Sequence, residues 1–425
     1  MQRQIKCAIP PSPVPSTIHS QPLTPAGYNR GYYLAVVRPA LEFRSESAPT
    51  GQSATHHAGR RPVDPGGMGM ATTQGSAKRR RGSASAETDS SGVPALLSRE
   101  PEAQREYYRK MVEIRLFEEA CQRAFRQGKV GGYLHLYIGQ EAVATGLIDA
   151  HKPGDKIITA YRDHAHALLL GASPREVMAE LYGKGTGLVK GKGGSMHLFD
   201  VKNDLMGGYG IVGGHLPLGV GMAYSLRYQG TDQIVQLYFG DGAIHNGAFH
   251  EGANLSGLWG KDGMNPCLFI LENNQYGMGT SVERATAQTD LGSKFDSYGI
   301  PHEKVDGMDL DAVMGHAHRA ANRVRESGKP FALEMMTYRI APHGAADFLE
   351  RYRSKEEVKE ARKRDPINLY EHKLIESGAA TEEQLEEIRM AEQAKIEDAV
   401  KFAEESPEPD PAELYTDVYA SEIAS

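Results

Sequence analysis

The sequence predicts an α/β fold with a mainly parallel sheet flanked by helices and a helical C-terminal part. Three observations carry this. An apolar, β-rich run, Ile234–Phe239, leads straight into Gly240-Asp241-Gly242. A second run, Pro266–Leu271, leads straight into Glu272-Asn273-Asn274, and His245 to Leu258 between them can form a helix. Strand-like runs then alternate with helical segments along the chain, the signature of a parallel sheet covered by helices. Parallel strands buried on both faces read as continuous apolar runs. The right-handed crossover places both strands in one sheet, with both polar tips at its carboxyl edge.

The chain has 425 residues, 24% charged and 40% hydrophobic, with no apolar run long enough to span a membrane. Cys7, Cys121 and Cys267 lie far apart and form no CxxC pair, which points to a reducing compartment and to neither a disulfide framework nor a zinc site. Of the 48 Lys and Arg and 55 Asp and Glu, residues 1–98 hold 11 and 5. The remainder is therefore acidic, which argues against a nucleic-acid binder.

Residues 1–98 are rich in Pro, Ser, Gly, Thr and Ala, with Lys78-Arg79-Arg80-Arg81 near the end and only Tyr32–Val37 locally apolar. Such a segment buries too little surface to offset its chain entropy and reads as a disordered extension. A transit peptide and a true start at Met68 or Met70 are the other readings. An ordered domain is expected over 99–425. Glu102 to Gln127 has Ile114, Phe117, Cys121 and Phe125 at helical spacing, and Gly128 stops it. A glycine-bounded stretch from Gly131 to Ala142 opens a second helix. Asp155–Ala160 is a strand ending at Tyr161-Arg162. Ser173-Pro174-Arg175-Glu176 reads as a helix start with Pro at the first position and a capping-box Glu.

Residues 183–194 form a glycine loop carrying Lys184, Lys190 and Lys192, without Walker A spacing. Gly208-Tyr209-Gly210-Ile211-Val212-Gly213 matches GxGxxG, yet no strand is evident before it and Pro217 follows where a dinucleotide-binding helix should be running. Gly219, Gly221 and Ala223 suit a helix packed close against a neighbour. Pro330–Ile340 reads as a further strand delivering His343. Ser354–Arg364 and Thr381–Glu405 read as helices, each opened by a capping box (Ser354 with Glu357, Thr381 with Gln384).

The paired strand tips suit Mg²⁺ holding a diphosphate. A hard cation takes near-octahedral oxygen ligands, few of them carboxylates and the rest from phosphate and water. Asp241 offers one carboxylate, Asn274 one amide oxygen, and the following loop a carbonyl. Either motif alone reads as a turn. Together, each directly after a strand and separated by one strand–helix–strand unit, they point to the cation site.

With these residues in view, residues 100–420 resemble the alpha subunit of the decarboxylating component of 2-oxo acid dehydrogenase complexes, of the pyruvate dehydrogenase type. The motifs are His135-Leu136-Tyr137 before Gly139-Gln140-Glu141, Tyr161-Arg162, Gly191 to His197, Gly210 to Gly213, and Glu272 to Thr280. The resemblance implies a thiamine diphosphate-binding fold. It also implies Mg²⁺ held by Asp241, Asn274 and the Tyr276 carbonyl, with the diphosphate met by Tyr161 and Arg162. Gly210, Val212, Gly242 and Ala243 would approach the cofactor by backbone, and Met278 would lie between its rings. His135 and His343 would be the active-site histidines. A lone histidine is more often structural, and their motif positions alone suggest otherwise.

The implied reaction is oxidative decarboxylation of pyruvate, with the acyl group passed to a lipoyl arm of the acyltransferase core. The implied assembly is an α₂β₂ heterotetramer in which a beta subunit supplies the glutamate for the aminopyrimidine, so the chain alone should be inactive. After His343, Gly344, Ala346 and Arg351 stand where the mitochondrial enzymes carry phosphorylated serines. That implies no such switch and favours a bacterial, cytoplasmic enzyme over a mitochondrial one. Ala341-Pro342 is a further departure in the same loop. Acetoin and branched-chain 2-oxo acids stay open as substrates. So do a nicotinamide oxidoreductase using the 208–213 glycines and a non-catalytic scaffold subunit.

Overall fold

The computed structural model describes residues 99–347 and 352–417. The readings made for residues 1–98 and for Arg351 lie outside the described residues. Helix α1 (Pro101–Arg126) gives way to Gly128 at φ +73°, a backbone that favours glycine. After it come α2 (Glu141–Asp149), β1 (Lys156–Ala160), α3 (His164–Leu169) and α4 (Pro174–Leu181). Next are β2 (Leu205–Tyr209), α5 (Leu216–Tyr228), β3 (Val235–Gly240), α6 (Gly247–Gly260) and β4 (Cys267–Asn273). Strands β5 (Tyr276–Gly277) and β6 (Thr280–Ser281) form a small antiparallel ribbon that leads into α7 (Val282–Ala285). The remainder is β7 (His302–Asp306), α8 (Leu310–Ser327), β8 (Phe331–Met336), α9 (Lys355–Arg362), α10 (Pro366–Glu376) and α11 (Glu382–Glu405).

Six strands form one sheet in the order β2-β1-β3-β4-β8-β7, and every pairing in it is parallel. Alternation along the strands feeds two cores. Ile157, Tyr238, Leu268, Ile270 and Leu333 face one side, packed with α1, α2, α4, α8 and α11. Ile158, Leu237, Phe239, Phe269 and Leu271 face the other, with α5 and α6. Because both faces are covered, β4 is buried along its whole length. The chain runs from β1 out to the edge strand β2 and then crosses back to β3. The crevice at the carboxyl ends of β1 and β3 is thus the point where strand order reverses, the usual place for a ligand in such sheets.

Several local expectations change. A short strand, β2, does precede the 208–213 glycines. Two of its five residues, Gly207 and Gly208, hid the β-signal, and a Cβ on Gly208 would overlap the Asp163 carboxylate. Helix α5 begins at Leu216, so Pro217 sits in its first turn, where its missing N–H costs nothing. Gly219 does let that helix close onto Leu237 and Ile158, whereas Gly221 faces open space. The crossover helix starts at Gly247, capped by Asn246, with His245 in a preceding 3₁₀ turn. Strand β8 stops at Met336, because its neighbours β4 and β7 end at the same level. Elements β7, α8 and α10 are additional. Strand β7 is an edge with one fully buried residue, Val305, too weak a pattern to mark it.

The capping boxes also differ. Only Thr381 with Gln384 is reciprocal. Ser354 caps the Glu357 amide, but the Glu357 carboxylate accepts from Tyr276 and Tyr338 hydroxyls instead. Ser173 caps Arg175, and Glu176 takes no part. The 183–194 loop wraps a carboxylate of its own chain. Glu180 accepts from the amides of Val189, Gly191, Gly193 and Gly194 at 2.8–3.1 Å. The loop lysines are spent on the C-terminal segment: Lys184 on Glu408, Lys190 on Glu413 and Lys192 on Asp417. Glu180→Ala should therefore lower stability by about 2–4 kcal/mol, since four loop amides lose their acceptor. Glu176→Ala should stay within about 0.5 kcal/mol. Urea unfolding midpoints compare the two.

Candidate active site

Every residue expected from sequence to hold the cofactor or metal or to transfer protons lines one cavity of about 500 Å³ at the carboxyl edge of the sheet. Tyr161 and Arg162 arrive from the end of β1, Gly210 and Val212 from the end of β2, and Asp241, Gly242 and Ala243 from the end of β3. Asn274, Tyr276 and Met278 follow β4. His135 comes from the loop before α2, and His343 from the loop after β8.

The acceptor set is distinctive. Asp241 is 3% exposed and Asn274 6%, yet Asp241 Oδ2 and Asn274 Oδ1 accept no hydrogen bond among the described residues. Burying such oxygens without a partner is costly, so both are positioned for a ligand that binds hard oxygen donors. Burial pushes the Asp241 carboxyl up to about 6, against the pull of Arg339 and local amides. Tyr276 lines the cavity while its hydroxyl donates to Glu357 at 2.9 Å. The β5–β6 turn holds Met278 at φ +56°, a conformation L-residues adopt at a cost of about 1 kcal/mol, and its side chain is 62% exposed at the cavity.

Two guanidinium groups line the same space and donate to neutral acceptors. Arg162 donates to the carbonyls of Leu136 and His343, the latter at 3.1 Å. Arg339 donates to the Met278 carbonyl at 2.9 Å and meets His343 Nδ1. Neither forms an ion pair among the described residues, so the cavity keeps uncompensated positive charge suited to an anion. Burial, with Arg162 beside it, pushes Arg339 down to about 10.

The two histidines pack edge-on, with ring centroids 5.0 Å apart, and Tyr161 lies 4.3 Å from the His135 ring. Burial first, then Arg162 and other nearby cations, lowers His135 to about 3 and His343 to about 2. Both rings are neutral at pH 7, able to accept a proton at one nitrogen or donate from the other.

Sequence reading passed over Arg339 and Glu272 as site residues. The signal existed in both cases: an arginine inside the apolar run ending at Ile340, and an acid at the end of a fully buried strand. Glu272 lines the cavity, accepts from the Tyr137 hydroxyl, and is pushed up to about 7 by burial. A separate buried trio, Glu118, Cys121 and His164, has metal-compatible spacing. Its polar groups are already used structurally: Glu118 binds the Tyr137 amide and His164, and His164 binds Ser195.

The sequence profile described as "Dehydrogenase E1 component" matches residues 109–412. The chain is 46% identical over 312 residues to the pyruvate dehydrogenase E1 component subunit alpha of Rickettsia felis, covering 73% of this chain and 94% of the relative. With the protein of the same description from Rhizobium meliloti it shares 47% over 312 residues, 73% of this chain and 88% of that one. The somatic mitochondrial form from Homo sapiens is 42% identical over 331 residues, 78% and 82% of the two chains.

The histidine geometry predicts a pH response. Unfolded imidazoles titrate near ~6.5. Because the folded values of His135 and His343 lie below that, each contributes stability that is present above pH ~6.5. It is lost as pH falls, at about 1.4 kcal/mol per unit, since the unfolded chain takes up a proton that the folded one refuses. Asp241 and Glu272 are raised and act oppositely, losing stability as pH rises from about 4 through their folded values. Imidazole C2-proton signals of the two histidines, assigned with His→Gln variants, should stay flat between pH 8 and 5. A midpoint near 6.5 in either would contradict this electrostatic picture.

Proposed function

This chain belongs to the dehydrogenase E1 component family, and from that premise we propose that it is the alpha subunit of a thiamine diphosphate-dependent pyruvate dehydrogenase. The single observation that carries the reading is the pair of buried, unpartnered oxygens on Asp241 and Asn274 in a cavity bearing two guanidinium groups. Oxygen donors of this kind fit Mg²⁺, with the Tyr276 carbonyl as a third protein ligand. The guanidinium charge of Arg162 and Arg339 fits the diphosphate that shares the cation, and Tyr161 lies beside it.

When bound, thiamine diphosphate supplies the carbon nucleophile and the electron sink that decarboxylation of a 2-oxo acid needs. The chain's own residues do the rest. Arg162 and Arg339 balance phosphate charge. Gly210, Val212, Gly242 and Ala243, which line the cavity, would approach the cofactor by backbone. Met278 gives an apolar support at the cavity mouth. Neutral His135 and His343, which line the same cavity, would hold or move a proton for the substrate. The lipoyl disulfide of the acyltransferase core is the oxidant, and it leaves as an acyl thioester and a thiol.

Tyr133, Val212 and Met278 are apolar, line the cavity and are exposed, which suits coverage by a second chain. A beta subunit contributing the aminopyrimidine glutamate in an α₂β₂ assembly fits that rim. The relatives' descriptions favour pyruvate over acetoin or branched-chain 2-oxo acids.

The test is steady-state assay with the matching beta subunit, thiamine diphosphate, Mg²⁺ and a lipoyl domain, across pyruvate, branched-chain 2-oxo acids and acetoin. Pyruvate should have the highest kcat/KM, and the alpha chain alone should give no turnover. A higher kcat/KM for another substrate would replace the substrate assignment, and turnover without a second chain would remove the half-site reading. His343→Ala should lower kcat by about 10²–10⁴-fold, the contribution of a positioned proton-transfer group.

A further inference from the structure

Gln140 stands at the start of α2 and is completely buried. Its side chain lies between a cavity residue and a residue at the end of β4. Gln140 Oε1 accepts from Asn274 Nδ2 at 3.1 Å, and Gln140 Nε2 donates to Glu272 Oε1 at 3.4 Å. The Tyr137 hydroxyl donates to that same Glu272 oxygen. At the other end of this row, Asn274 lines the cavity and its Oδ1 has no donor among the described residues.

An amide has one acceptor end and one donor end, so a row of amides carries a direction. Glu272 Oε1 is an acceptor, fixed as such by the Tyr137 hydroxyl that points into it. It therefore draws the NH₂ end of Gln140 and leaves the oxygen end facing Asn274. That oxygen in turn draws the NH₂ end of Asn274 inward, and the Asn274 oxygen must face the cavity. If Gln140 were reversed, its NH₂ would meet a carboxamide obliged to turn its own oxygen inward. The cavity would then meet Asn274 Nδ2, which cannot ligate a cation.

We infer that Gln140 is a positioning residue for the cation site, transmitting the polarity of Glu272 to Asn274 so that oxygen and not nitrogen faces the metal. This rests on the thiamine diphosphate and Mg²⁺ reading. Partners behind a ligand commonly hold its orientation, and their loss costs about 10–100-fold in metal affinity.

The test uses the chain assembled with its beta subunit and Mn²⁺ as the probe, with free Mn²⁺ read by electron paramagnetic resonance in saturating thiamine diphosphate, without substrate. Gln140→Met keeps the volume but neither accepts nor donates, and should raise the Mn²⁺ Kd about 10–100-fold. Gln140→Glu keeps an acceptor for Asn274 Nδ2 and, because two carboxylates cannot face each other at this distance, holds one proton between itself and Glu272, so it should stay within a few-fold of the wild type. At saturating metal, KM for pyruvate should be unchanged in both, which a general packing defect would not allow. Wild-type affinity in Gln140→Met, or equal weakening in Gln140→Glu, overturns the inference. If the Met variant does not assemble, Gln140→Leu, which also removes both hydrogen bonds, should give the same rise of about 10–100-fold, and wild-type affinity in it overturns the inference. A wild-type complex that binds no Mn²⁺ with thiamine diphosphate present would instead remove the cofactor reading beneath it.

Discussion

The buried guanidinium of Arg162 is the interaction on which the cavity depends. It follows β1 directly and donates to the carbonyls of Leu136 and His343, so one side chain holds together three segments remote in sequence. A second tether runs alongside. Ile340 donates to the Ile138 carbonyl, and the Thr337 hydroxyl to the Gly139 carbonyl. Gly139 is required there: its φ is +99°, and a Cβ would lie 2.2 Å from the Tyr338 carbonyl oxygen. Arg353, also buried, donates to the carbonyls of Arg339 and Ala341 and fixes the far side of the same loop. These contacts set where the two histidines stand. Burial first, and then the same cationic charge, keeps both rings neutral.

The sheet provides the address. Strands β3 and β4 are paired in register from Val235 with Cys267 to Gly240 with Glu272, so their following loops emerge side by side. A parallel ladder buried on both faces has little freedom to slip, because a one-residue shift would exchange the two cores. That is why an acid and an amide far apart in sequence can form one ligand pair. Family membership supplies the chemistry to expect at that place, and the geometry supplies the local reason each side chain is there.

The glycine and lysine loop shows how composition misleads without tertiary structure. Three lysines among six glycines suggest a loop free to cradle an anion from outside. The anion is in fact Glu180, one turn back in the same chain, and the lysines are committed to acids of the C-terminal segment. The loop therefore acts as a fastened strap that carries Met196 to the cavity wall.

Taken alone, the sequence determined the α/β class, the strand–helix–strand unit around Asp241 and Asn274, the two histidines and the ends of α1 and α11. Those features rest on local signals: apolar runs, capping residues, glycine stops and motif spacing. What it left undecided depends on contacts between distant segments. Strand β2 is hidden by Gly207 and Gly208, which let it pass Phe199 and Asp163, and β7 by an edge position that buries one residue. The second members of two expected capping boxes lie elsewhere, because Glu357 finds the hydroxyls of Tyr276 and Tyr338, and Glu176 is not used. Arg339, Glu272 and Gln140 became legible only once β4, β8 and the loop before α2 were brought to one edge. A polar group's role is set by what faces it, and for these three the facing groups come from other parts of the chain.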